Sequence, residues 1–414
     1  MNLKDKLDRY APQAGGMQPP AHPIPSNYSA ARCERLTHVF PHEHSHGLFP
    51  VNSLAGRFSG HARLLLPQFG RDSIDFERVA FLDTETTGLS GGIGVCAFLV
   101  GIGYVSSEGF AVEQFLMHDY PAERSMLEMV IERLAQFDLI ASYNGRSFDL
   151  PILEGRLVLN GIRDTVVTKA HLDVLHPARR LWRHRLNDRS LKSVERHTLG
   201  FQRENDIEGA MIPQVYFSYL RTGERHLLEQ ILHHNRLDVL SLACVTNLVL
   251  KSVDFPQQAP LEHGEDWYGL GTFFDHHRRV QEALDCFELA MQAGLPESLG
   301  RKCRRMLALA HKKAGNWDDA VRLWTESSRS WAVGSTIFEL EELAKYYEHR
   351  VCDYDAARDI CRRAVTSLEI QQATTDGDVS GDLSRFEQRL SRVERKVQRE
   401  KVCAKQRSSH SQSS

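Results

Sequence analysis

The sequence predicts an α/β domain, a mixed sheet flanked by helices, followed by an all-α domain of helical repeats. Three observations carry that reading. Over residues 78–250, three strand-like apolar runs come in succession, and strands then alternate with helical patterns. A stretch with two prolines at 254–263 breaks the pattern and reads as a linker. Beyond it, Ala283, Ala320 and Ala357 recur at an interval of 37 residues in similar helices. A chain of 414 residues has room for two such cores.

The elements follow in order. Residues 1–32 are rich in Pro, Gly, Ser and Ala and are expected to be a poorly ordered lead-in. The α/β domain is placed at 33–253, although 33–75 carries no clear pattern. RVAFLDTE and VCAFLVGIGYV are continuous apolar runs bounded by glycine, the mark of buried strands. GFAVEQFLMH alternates and gives a third strand. AERSMLEMVIERLAQF has helical spacing through Met126, Met129, Val130 and Leu134. LIASYN is a fourth strand, FDLPILEGRLVLNG a turn into a helix, and HLDVL a fifth strand. The remainder to 253 is mostly helical.

The repeats are assigned to 264–402. In the first copy Trp267, Leu270, Gly271, Phe274, Ala283, Phe287 and Ala290 follow the tetratricopeptide alternation of large and small residues. The second copy keeps Leu307, Ala308, Ala320 and Trp324, and the third Ala344, Ala357 and Ala364. The unit exceeds the usual ~34 residues, so it is TPR-like. Leu383, Phe386, Leu390, Val393 and Val397 form one apolar stripe, suited to a capping helix. A disordered tail is expected from 403.

Bulk properties exclude some classes. Net charge is −3, so nucleic-acid contact has to come from local basic clusters. No apolar run of membrane-spanning length occurs, and the charged start MNLKDKLDRY lacks a secretory pattern. The eight cysteines form no CxxC pair, which fits a reducing, cytoplasmic setting.

The strongest chemical signal is DTETTGL at 83–89. Asp83 and Glu85, two apart on a strand, share one face, and Thr84 points to the other. Paired carboxylates at a strand end suit magnesium or manganese. Glycines at 88, 91, 92 and 94 would let a nucleotide approach the backbone. YNGRSFDLPIL places Asn144, Phe148 and Asp149 at a strand-to-helix turn. HHNRLDVLSL places Asp238 on a helix whose Leu237, Leu240, Leu242 and Val245 face a core. An aspartate there needs a reason, and adjacent divalent ions supply one.

With these motifs assembled, Asp83, Glu85, Asp149 and Asp238 resemble the acids of the DEDD exonucleases, which have an RNase H-like fold. The stretch from AERSMLEM to ILEGR, with SLKSVERHTLG, is similar to the proofreading domain of family B DNA polymerases. DTETTGL, ARRLWR, IPQVYFSYLRTG and HNRLDVLSL look more like the predicted bacterial exonucleases called YprB-like, which join an RNase H-like domain to TPR-like repeats. The resemblance spans roughly residues 38–250.

It implies a 3′–5′ exonuclease hydrolysing phosphodiester bonds of single-stranded DNA or RNA with two Mg2+ or Mn2+ ions. Water is activated at one ion and the leaving oxygen stabilised at the other. Asp83 would bridge the ions, with Glu85, Asp149 and Asp238 completing the metal site. Thr86, Gly88, Leu89, Asn144, Phe148 and Trp182 would contact substrate, Asn144 equally serving the turn. The repeats would dock a protein partner. A non-catalytic nucleic-acid-binding or TPR scaffold protein on the same fold is the alternative.

The family places a Tyr four residues, or a His five residues, before the last acid. Here His234 and His233 fill both places. In an unbroken helix His234 shares the face of Asp238, which favours it as general base; His233 serves if the helix starts near Asn235. Two weaker signals remain. His38, His42, His44 and His46 could present imidazoles to zinc or form a packed loop. Arg179, Arg180, Arg183 and Arg185 around Trp182 could track a single strand, with Asp173 nearby, or form a solvated face.

Overall fold

The computed structural model describes residues 33–88, 94–163, 169–329, 336–374 and 377–411, with side chains to 402. The expectations for residues 1–32, Leu89, Gly91 and Gly92 lie outside these residues.

Six strands form the main sheet: β1 (Cys33–Pro41), β2 (Val79–Thr86), β3 (Ala97–Ser106), β4 (Gly109–Met117), β5 (Leu139–Ser142) and β6 (Ala170–Asp173). Their order is β1-β4-β3-β2-β5-β6. β2 runs antiparallel to β3 and parallel to β5, and β6 runs parallel to β5. The sheet is therefore mixed, as the order of elements predicts. β1 comes from the stretch without a clear pattern. It is an edge strand whose residues are mostly exposed or half-buried, so it lacks a continuous apolar run.

Both faces of β2 are covered. Val79 and Phe81 enter one core, and Ala80 and Leu82 the other. Helices α1 (Glu123–Leu134), α2 (Asp149–Leu159) and α4 (Ile212–Thr222) contribute to the second core. Helix α3 (Leu175–Trp182) contributes to the first. Helix α5 (His226–Asp254) is unbroken through the HHNRLD motif. It crosses β3 where Gly101 and Gly103 stand. A Cβ at Gly101 would lie 2.3 Å from Asn235 Oδ1, and one at Gly103 would lie 2.4 Å from Val239 Cγ1. The two missing side chains bring the helix onto the sheet.

A helical region follows: α6 (Gly264–His276), α7 (Val280–Ala293), α8 (Glu297–Ala314), α9 (Trp317–Ser328), α10 (Ile337–Tyr346), α11 (Tyr354–Thr374) and α12 (Ser380–Ser411). Each helix packs on its neighbour in sequence. Trp267, Leu270, Phe274, Ala283, Phe287 and Ala290 are all buried. Helix α12 continues to Ser411, into the stretch from 403 expected to be a disordered tail. Among the described residues, no helix is long and apolar enough to cross a membrane.

Glu348 anchors α12 to a π-helical turn at Tyr347–Val351. Its carboxylate is buried and accepts hydrogen bonds from Arg389 at 2.7 Å, Arg392 at 2.7 and 2.9 Å, and Lys396 at 3.0 Å. Burial alone would raise its pKa, but these cations hold it down at about 2. That stability is present above the ordinary carboxylate range and lost as pH falls towards 2. Glu348→Gln is expected to cost about 3 kcal/mol at neutral pH, because it strands the cations. Thermal unfolding followed by circular dichroism measures it, and an unchanged melting temperature contradicts the anchor.

Candidate active site

The strands deliver the site to one end of the sheet. Asp83 and Glu85 follow Phe81 along β2 at alternate positions, on the face that α5 covers. The register slips between Glu85 and Thr86, which ends regular pairing beside the two acids. Thr84 points to the other face, yet it is not idle: its hydroxyl donates to Asp149 Oδ1 at 2.5 Å.

Asp149 opens α2 directly after the turn that leaves β5. Asn144 in that turn has φ +70°, a left-handed conformation that Asn tolerates better than most residues. Asp173 at the end of β6 clamps the turn, accepting from the backbone N–H groups of Asn144 at 2.8 Å and Arg146 at 3.1 Å. Asp173 thus holds the loop that presents Asp149, and the Asn144 side chain is exposed.

Helix α5 supplies the rest. Because it is unbroken, His234 and Asp238 stand one turn apart on one face, with Nε2 at 3.3 Å from Asp238 Oδ2 and 4.0 Å from Glu85 Oε1. His233 is exposed. His234 Nδ1 lies 2.8 Å from Asp206 Oδ1. With its N–H committed to Asp206, the ring turns Nε2 towards the acids. Asn235 is fully buried and donates from Nδ2 to Asp83 Oδ2 at 2.8 Å, while its own Oδ1 accepts from Gln114 at 2.8 Å. Asp238 Oδ1 accepts from Arg203.

The electrostatics are those of a site short of cations. Burial, then the charges of Asp238, Glu85 and Asp149, push the Asp83 carboxyl well above its ordinary pKa. Burial lifts Glu85 to about 8 against the opposing pull of His234. Burial lifts Asp149 to about 6, although the Thr84 hydrogen bond opposes it. Burial would lower His234, but its hydrogen bond to Asp238 and the charges of Asp238, Glu85 and Asp206 carry it up to about 10. Asp238, with both cations beside it, stays below the usual range despite burial.

The donor set fits a divalent ion. Ligand atoms of Glu85, His234 and Asp238 all lie within 4.8 Å of one another. Ligands around an ion with bonds of ~2.1 Å stand at most about 4.2 Å apart, so a small adjustment brings Glu85 and Asp238 onto an ion with His234 Nε2 beside it. Asp83 and Asp149 flank this group, Asp83 hydrogen-bonded to Asn235 and Asp149 to Thr84. Among the described residues no other group of three or more such ligands converges. The histidine cluster does not: His46 is buried against Ser241, and His42 reaches the Ser107 carbonyl.

The expected substrate contacts divide. Thr86 is buried and its hydroxyl donates to the Gly88 carbonyl, shaping the loop after β2. Gly88 and Phe148 are half-buried, and Phe148 lines a groove of about 640 Å³ with Val95, Pro151 and Val158. Trp182 requires a correction. It is 0% exposed, deep in the core, and has no face to offer a base. Of the arginines around it, Arg185 belongs to a seam: α6 lies against α3 at Gly269, where a Cβ would come 2.2 Å from the Leu181 carbonyl, and Arg185 pairs with buried Asp266 at 2.8 Å, while Arg179 and Arg183 are exposed.

Comparison with known proteins agrees with this geometry. Residues 80–250 match the RNase_H superfamily. Over 333 residues the chain is 31% identical to uncharacterized protein YprB of Bacillus subtilis (strain 168), with 79% of each chain covered. The chain belongs to one family with YprB, and residues 80–250 form an RNase H superfamily domain. A family B DNA polymerase from Pyrobaculum calidifontis aligns at 16% identity and a TM-score of 0.33, a likeness that carries no argument. That alignment covers 48% of this chain, which spans 29% of the polymerase. For a member of the RNase H superfamily, acids gathered at β2 and α5 support a nuclease, a phosphodiester hydrolase served by divalent metal.

Sequence reasoning missed Asp206, Arg203 and Asn235. Asn235 and Ser241 had a signal, being polar residues among the apolar positions of α5. Asp206 and Arg203 lie in a segment without periodicity, about thirty residues from the groups they touch, and had none.

Proposed function

We propose that the protein is a 3′–5′ exonuclease that hydrolyses single-stranded DNA or RNA with two Mg2+ or Mn2+ ions. The observation that supports it most is the convergence of Glu85, Asp238 and His234 beside Asp83 and Asp149. Six carboxylates, with Asp206 and Glu195 included, share one buried guanidinium, one imidazole and, at the rim, the exposed Lys192 ammonium 3.5 Å from Asp206. Such an excess of buried negative charge calls for added cations.

Divalent ions, when bound, compensate charge on the attacking and leaving oxygens of an in-line displacement. The chain's own groups do the rest. Asp83, Glu85, Asp149 and Asp238 hold the ions, with Asn235 fixing Asp83 and Thr84 fixing Asp149. Asp206 keeps the Nδ1 proton of His234. With the carboxylates neutralised, His234 loses its reason to hold a second proton, and Nε2 accepts one from water. Gly88 and Phe148 border the approach to these groups. The TPR-like helices offer a surface to a protein partner.

His234→Gln is expected to lower turnover by about 10²- to 10⁴-fold, the usual worth of a general base. His233→Gln should stay within about twofold. Single-turnover cleavage of an end-labelled oligonucleotide measures both, and equal losses in the two variants would refute the assignment. The wider reading is tested on linear and circular, single- and double-stranded DNA and RNA, with each end blocked in turn. Cleavage stopped by a 3′ block and abolished by Asp238→Ala supports it. Turnover untouched by Asp238→Ala, or no cleavage with either metal, overturns it.

A further inference from the structure

At Asp238 the site already contains a cation. Arg203 follows the π-helical turn Glu195–Leu199, and its side chain is 1% exposed. Nε and Nη2 donate to the two oxygens of Glu195, each at 2.8 Å, and Nη1 reaches Asp206 at 3.2 Å. Nη2 also donates to Asp238 Oδ1. Glu195, itself 1% exposed, accepts the Ser241 hydroxyl proton at 2.5 Å. Ser241 has then given its only proton away, so its oxygen accepts from His46 Nε2 at 2.7 Å. His46 is fully buried and stacks on Phe201 at 3.9 Å.

The bidentate pair with Glu195 uses two of the five guanidinium N–H groups, and others turn to Asp206 and Asp238. Asp238 is the member of this set whose carboxylate converges with Glu85 and His234 Nε2. The guanidinium contact takes one oxygen of Asp238 and leaves the other, Oδ2, towards the ion ligands. A fixed positive charge against a metal-binding carboxylate repels a second cation.

We propose that Arg203 is a resident cation of the metal site, which positions Asp238 and weakens divalent-ion binding on the Asp238 side. The buried chain from Glu195 through Ser241 to His46 keeps the guanidinium there. This rests on the metal-dependent reading above. Arg203 is a positioning residue: it acts through Asp238.

The test is Mn2+ binding to the full chain without nucleic acid, read from the free-ion electron paramagnetic resonance signal. Arg203→Met with Glu195→Gln removes the cation and its buried partner together, so neither is orphaned. This double variant is expected to bind Mn2+ about tenfold tighter than the wild type. Arg203→Lys retains the charge and should remain within about threefold, whereas a purely structural arginine would be lost equally in both. Glu195→Gln alone removes negative charge and should weaken binding by about threefold. A folded double variant with unchanged or weaker affinity overturns the proposal. If the double variant does not fold, Glu195→Gln decides, and unchanged or tighter binding overturns it. Wild-type protein that binds Mn2+ while the variants match it defeats this inference alone. Wild-type protein that binds none defeats the metal-dependent reading as well.

Discussion

Asp83→Asn is expected to abolish turnover and at the same time stabilise the ion-free protein. The loss should be on the order of 10³-fold or more, because the residue belongs to a group that acts as a unit. The stabilisation comes from the same cause. Asp83 is half-buried among Asp238, Glu85 and Asp149, and its carboxyl is pushed well above the ordinary range. The sign follows from linkage. An acid with a raised folded pKa costs nothing below its unfolded pKa. Above that value it destabilises increasingly with pH, until the folded group itself ionises. Asparagine has no charge to relieve and still offers an oxygen to Asn235. A gain of about 1–3 kcal/mol is expected at neutral pH. Melting temperatures in a chelator between pH 5 and 8 measure it: the wild type should lose stability as pH rises, and the variant should lose less. A variant that is inactive but less stable than the wild type at every pH would contradict the crowding of carboxylates described for this site.

Gly101→Ala is expected to produce a large loss from a residue that carries no chemical group of the site. Its new Cβ would lie 2.3 Å from Asn235 Oδ1 and 2.9 Å from Asn235 Nδ2, distances no packed methyl group accepts. The amide has to move, and it is the donor to Asp83. A destabilisation of about 1–3 kcal/mol should accompany the displacement. Turnover should fall by about 10²-fold, since a shift of ~1 Å in a positioned group suffices for that. Gly103→Ala is the control. Its Cβ would meet Val239 and Phe110 at 2.4 and 2.5 Å, so it also presses α5 away from the sheet, but against apolar partners. It should cost similar stability and much less activity. Denaturant unfolding paired with single-turnover kinetics separates the two, and parallel activity losses would show that α5 moves as a rigid body.

Much of the α/β half was legible because burial leaves a plain imprint. β2, β3 and β4 are apolar runs or alternations bounded by glycine, and α1 carries its periodicity openly. The acids were legible for a related reason: Asp238 interrupts a stripe of leucines, and Asp83 and Glu85 interrupt a buried strand. β1 was not legible, because an edge strand half open to solvent need not be apolar. Trp182 misled, since an aromatic among arginines looks alike at a nucleic-acid surface and at a seam between packed helices. Only the position of α6 tells them apart.

By itself, the sequence determined the order of the strands and helices, the register that puts Asp83 and Glu85 on one face, and the helical turn that puts His234 with Asp238. Those are local periodicities, fixed by backbone geometry within a few residues. The tertiary structure decided what closes the site: Asn235 against Asp83, Asp206 against His234, Arg203 against Asp238, and Asp173 beneath the turn that carries Asp149. Each of these pairs joins groups about 30 or more residues apart, or crosses from helix to sheet. No pattern along the chain encodes such meetings: α5 on the glycines of β3 brings Asn235 to Asp83, the loop after the π-helical turn brings Arg203 and Asp206 to α5, and β6 beside β5 brings Asp173 beneath its turn.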